Sequence, residues 1–127
     1  MIKFLSIIAC LSFDQSEPGL PGIYFNHSQV CSFLQAIDKK WTLELKKNSS
    51  FVYTIHEYST KKNKDSIYKA TGSWRISHDT ITLYTYVAPY KYQFVTRPDT
   101  LLPIGERAQY SGGFVMKLNY LSKIADN

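Results

Sequence analysis

From residue 41 onward the chain alternates apolar and polar side chains, and a period of two fits one regular structure, the antiparallel strand with one buried face. In Trp41-Thr-Leu-Glu-Leu-Lys46 the alternation is strict: Trp41, Leu43 and Leu45 share one face, and Thr42, Glu44 and Lys46 share the other. Residues 47–50 read as a turn, after which Phe51, Tyr53 and Ile55 alternate with Val52, Thr54, His56 and Tyr58. Strand, short polar turn and strand make a hairpin. A lysine-rich loop over residues 61–65 leads to a strand over residues 67–76, where Tyr68, Ala70, Gly72, Trp74 and Ile76 share a face. The turn at residues 77–80 then feeds a strand over residues 81–87. Tyr90, Tyr92 and Phe94 alternate with Lys91, Gln93 and Val95, and residues 97–100 turn the chain into residues 101–104. A final strand is expected from Phe114 through Met116, Leu118 and Tyr120. With an opening strand at residues 22–26, about eight strands follow one another at the rhythm of a barrel or sandwich. Sequential hairpins favour the all-β, antiparallel, up-and-down barrel.

Residues 28–40 break this rhythm. Val30, Phe33, Leu34 and Ile37 recur at i, i+3, i+4 and i+7, with Asn26 or Ser28 available as a cap, the spacing of one short amphipathic helix near the N-terminus. Such a helix would plug one end of the barrel. The competing reading is an irregular strand or loop with apolar residues beneath it.

The first 16 residues read as an export signal. Lys3 precedes an apolar run of residues 4–13, too short for a stable spanning helix, and polar Asp14, Gln15, Ser16 and Glu17 follow. Ile7-Ile8-Ala9-Cys10 resembles the bacterial lipobox, which implies acylation of Cys10 and a membrane anchor there. Two other readings stay open: a plain secretory signal cut between Ala9 and Ser16, and a segment of the mature fold. Residues 17–22, Glu-Pro-Gly-Leu-Pro-Gly, read as a tether because two breakers in six residues neither continue a helix nor pair inside a sheet. Residues 23–127 are then the barrel domain. An exported chain with two cysteines can pair Cys10 with Cys31; an acylated Cys10 leaves Cys31, which is expected to act as a small buried apolar residue.

Composition narrows the function classes. The 127 residues are 44% hydrophobic and 20% charged, which suits a single globular domain and excludes a disordered chain. Fifteen Lys and Arg against ten Asp and Glu give +5, but the excess is dispersed, its densest run being Lys61, Lys62, Lys64 and Lys69 in and beside a hairpin loop. Charge of that kind belongs to a solvated face, so no nucleic-acid partner is expected.

The run of residues 41–83 resembles the small lipocalin-like domains of bacterial envelope lipoproteins. Trp41-Thr-Leu-Glu-Leu45, Ser50-Phe-Val-Tyr53, Gly72-Ser-Trp-Arg-Ile76 and Asp79-Thr-Ile-Thr-Leu83 carry the likeness, over about one third of the chain. The resemblance implies a calycin-type barrel exported to the envelope, facing periplasm or cell surface as an outer-membrane lipoprotein, or secreted. Copper-responsive relatives carry a Cys-x-x-Cys pair that this chain lacks, which argues against copper sensing.

Motifs for catalysis are missing from the chain. His27, His56 and His78 stand alone, none spaced with another His or Cys as metal ligands on one element are, and His78 suits a turn. There is no Gly-x-Ser-x-Gly elbow and no phosphate-cradling glycine loop, so neither an enzyme nor a cofactor is expected. The aromatic residues remain. Trp41, Phe51, Tyr53, Trp74, Tyr92 and Phe94 are the candidate barrel lining, either for a small apolar or amphipathic ligand or as plain core. Tyr84, Tyr86 and Tyr90 are a candidate platform for sugar rings or an envelope protein partner. The expected function is ligand binding without catalysis; the alternative is a structural or interaction module with a filled core.

Overall fold

A computed structural model describes residues 19–126, except 62, 87–89, 106–108 and 112–113. The expected export signal, Cys10 included, lies outside the described residues. The elements are β1 (Gly22–Cys31), β2 (Ala36–Leu45), β3 (Ser50–Ser59), β4 (Lys64–Ser77), β5 (Thr80–Thr85), β6 (Lys91–Arg97), β7 (Thr100–Pro103), β8 (Gln109–Ser111), β9 (Phe114–Met116) and β10 (Leu121–Asp126). Eight of them close an antiparallel barrel in the order β1-β10-β7-β6-β5-β4-β3-β2, and β8 pairs β9 in a separate two-stranded sheet. The all-β, up-and-down architecture expected from the alternation is the one observed.

Register fixes which side chains point inward. Residues directly opposite one another in an antiparallel pair share a face. Trp41 faces Ile55, Leu43 faces Tyr53 and Leu45 faces Phe51; Tyr53 faces Ala70, Trp74 faces Leu83, and Ile81 faces Phe94. All of these are buried except Ile55, which is half-buried against them, and they form one core with Tyr24, Leu101, Leu118 and Leu121. Gly72 is required where it stands: a Cβ there would lie 1.9 Å from the carbonyl oxygen of Tyr84 across the β4–β5 pair.

Because the strands alternate in direction, the connections sort to two ends. The turns at residues 46–49, 78–79 and 98–99 share one end with the start of β1 and the finish of β10. The closed end is tightly bonded. Trp74 donates twice to the 46–49 turn, from its backbone nitrogen to Ser49 O (2.9 Å) and from its indole to Lys46 O (3.0 Å). Thr96 N donates to Asp79 O at 2.7 Å, and Lys123 N to Asp99 O at 2.9 Å. Ser49, His78 and Asp99 take positive φ at these turns. β1, β3, β5 and β7 end, and β2, β4, β6 and β10 begin, at the opposite end, the mouth.

Four expectations are corrected. No helix occurs among the described residues; the segment expected to be one is the β1–β2 hairpin, turning at residues 32–35. Of the four residues at helical spacing, Ile37 is buried, Val30 is half-buried, and Phe33 and Leu34 stand in solvent at the turn. The helical period was a coincidence of a strand end, a turn and a strand start; ten ladder pairs from Gly22–Leu45 to Cys31–Ala36 outweigh one short amphipathic face. The closing strand is β10 rather than residues 114–120, since Leu121 seals the wall against Leu101 while residues 114–116 pair with β8. Cys31 is exposed rather than buried, because it ends β1 at the mouth, beyond the core. Leu20, read as tether, is itself buried in the core and accepts a 2.7 Å hydrogen bond from the Tyr24 hydroxyl.

Candidate functional site at the barrel mouth

The six candidate lining residues all point into the barrel. Trp41, Phe51, Tyr53, Trp74 and Phe94 are buried and Tyr92 is half-buried against them. Tyr53 meets Tyr92 edge-on at 5.2 Å between ring centres and Phe94 at 6.4 Å. Toward the closed end, Phe51, Trp74 and Phe94 pack with Leu45, Ile81 and Leu101 as ordinary core. That half is filled with side chains.

Toward the mouth the inward face turns polar. Continuing the parity of Trp41 backward along β2 brings Lys39 and Ile37 to the interior, and the ladder sets Lys39 opposite Glu57 and Ile37 opposite Ser59. Lys39 is 4% exposed and Ser59 6%. Burying an ammonium group demands compensation. The Lys39 Nζ lies 3.7 Å from Glu57 Oε1 and 5.4 Å from the centre of the Trp41 ring, an ion pair and a cation–π contact. Ser59 Oγ is buried with no hydrogen-bond partner among the described residues, although a buried hydroxyl ordinarily has one.

Among the described residues, β5 pairs with β4 only from Gly72 to Ser77, and residues 64–71 of β4 pair with β3 alone, a gap in the described ladder. Across that gap the hydroxyls of Tyr68 on β4 and Tyr92 on β6 hydrogen-bond at 2.7 Å. Tyr53, Tyr68 and Tyr92, with Lys39, Glu57 and Ser59, therefore bring apolar rings and polar groups together on the inward face toward the mouth. Alternation singles out the tyrosines. Lys39, Glu57 and Ser59 were missed, because a charged residue within an apolar series reads as a break in the pattern; the shared odd-number parity with Trp41 and Tyr53 was the available signal.

The other candidates are placed apart. His27 contacts Asp38, and His56 Nε2 lies 2.9 Å from Asp65 Oδ1, both pairs outside the barrel, while His78 sits in the β4–β5 turn. Among the described residues no group of three His, Cys, Asp or Glu is placed to hold a metal ion. Tyr84, Tyr86 and Tyr90 are exposed on and after β5 and do not join the mouth lining. A cleft of about 340 Å³ lies at the closed end, with Leu20, Tyr24 and Ile76 as its floor and His78, Asp79 and Arg97 at its rim. Burial, and secondarily the charges of Asp99 and Asp126, push the Tyr24 phenol up to about 12. The Lys123 ammonium, hydrogen-bonded to Asp126, holds that carboxyl below its usual range and also donates to Gly19 O, tying the N-terminal segment to β10.

Comparison with protein-family models, with curated proteins and with solved structures gives no match. The residues of the mouth carry the functional reading alone.

Proposed function

We propose that the protein is a non-enzymatic exported lipoprotein, moored through Cys10, whose lipocalin-like barrel takes one small amphipathic molecule at its tyrosine-lined mouth. The buried Ser59 hydroxyl, without a hydrogen-bond partner among the described residues and on the same inward face as buried Lys39, is the observation that carries this reading. A hydroxyl held dry without a partner costs about 1–3 kcal/mol, which a bound polar group would recover. The rings of Trp41, Tyr53 and Tyr92 supply apolar area, and the Tyr68–Tyr92 hydroxyl pair supplies an orienting contact. The filled closed half limits the ligand to the outer interior.

Native mass spectrometry of gently purified full chain tests the reading. A bound mass is expected, reduced or lost in Lys39→Met and in Tyr92→Ala. Filling of the closed half favours a second reading, a structural or protein-interaction module with no ligand. An empty wild-type barrel, together with a protein adduct on cross-linking in cells, would decide for the second.

A further inference from the structure

We infer that the mouth end of the barrel is a docking surface for a phospholipid layer with anionic headgroups. Of the ten exposed large apolar side chains among the described residues, Ile67, Tyr68, Tyr84 and Ile124 stand on strands, and the other six stand together in the connections at one end. Phe33 is 98% exposed, Leu34 75% and Tyr86 95%, and Tyr90, Ile104 and Tyr120 are also exposed; all six belong to connections at the mouth. The turns at the closed end carry no exposed large apolar residue among the described residues. Phe33 and Leu34 are held out by a bonded turn rather than a frayed one. Ser32 N donates to Gln35 O at 2.8 Å, and the Ser32 hydroxyl accepts from Leu34 N and Gln35 N at 3.2 and 3.3 Å.

Charge selects the occupant. In and beside the mouth connections, the described charges are exposed Lys61, Lys64, Lys91 and Lys117 with one acid, Asp65, which is engaged by His56. The closed end mixes signs, with Lys47 and Arg97 against Asp79 and Asp99. In the strand order, the β1–β2 and β5–β6 connections stand on opposite sides of the mouth, and the lysine-bearing β3–β4 connection lies between them. A flat layer that receives rings and aliphatic side chains at separated points, and offers phosphates to the lysines between, meets all three at once. The inference does not depend on a ligand inside the barrel.

The test uses the processed chain, residues 10–127 bearing Cys10→Ser, which removes both the apolar export signal and acylation, immobilised through its C-terminus because β10 ends at the closed end. Vesicles of phosphatidylcholine with 30% phosphatidylglycerol, and vesicles of phosphatidylcholine alone, are flowed over it. Binding is expected to the anionic vesicles only. Phe33→Asp with Leu34→Asp should weaken it about tenfold or more, and Lys61→Glu should weaken it at least about fivefold, by the usual contribution of one basic residue near an anionic surface. Far-ultraviolet circular dichroism and thermal midpoints of these surface variants should match the parent. Equal binding to neutral vesicles, binding unchanged in the Phe33/Leu34 variant, or no binding by the folded parent would each overturn the inference.

Discussion

Trp74 and Gly72 show how single residues close the barrel at the end away from the mouth. The Trp74 ring fills the core while its two nitrogens bind the 46–49 turn, so one residue joins β4 to the β2–β3 hairpin. Trp74→Ala should cost about 3–5 kcal/mol in urea unfolding, as expected for deleting a buried indole. Gly72→Ala should cost about 3 kcal/mol, because its methyl would meet backbone rather than a movable side chain. Ser59→Ala should do the opposite in ligand-free protein, raising stability by about 1 kcal/mol by removing an unsatisfied hydroxyl, while weakening any bound mass seen in native spectra. Tyr24 sets an alkaline limit. Its phenol titrates near 12 in the folded chain and near 10 when unfolded, so the folded state holds its proton longer. That stability is fully present below pH 10 and is lost as pH rises toward 12, up to about 2 kcal/mol. Urea midpoints should fall across that window, and less steeply in Tyr24→Phe.

At the scale of elements, legibility followed burial. β2 through β6 each bury one face against a common interior, so their side chains had to alternate, and the faces assigned to Trp41, Phe51, Tyr53, Trp74, Tyr92 and Phe94 are those observed. β1 was short in the reading because Asn26, Ser28 and Val30 line a polar stretch near the mouth, where no apolar face demands alternation. β10 was invisible for a related reason: only Leu121 is buried, while Ile124 points to solvent, so its place comes from ladder pairing with β1 and β7 rather than from its own pattern. Deleting residues 121–126 should abolish cooperative unfolding, since both partners of the seam lose their ladder at once. A truncated chain that still unfolds in one sharp transition would show that β10 does not close the barrel.

For the molecule as a whole, the asymmetry between the two ends matters more than the barrel itself. One end is packed, cross-bonded turn to strand, and receives the N-terminal segment; the other carries Lys39, Glu57 and Ser59 on its inward face and exposed apolar residues at its loop tips. Closed barrels of this size hold either side chains or one small molecule, and the proposed function gives the closed half to side chains and the other half to a ligand. Nuclear magnetic resonance titration of the labelled chain with octyl glucoside, a small neutral amphiphile kept below its micelle concentration, tests that division most directly. The predicted result is saturable shifts confined to Ile37, Lys39, Trp41, Glu57, Ser59, Tyr68 and Tyr92, with Leu45, Trp74 and Ile81 unmoved. Shifts centred on the turns of the closed end, or none at all, would contradict it.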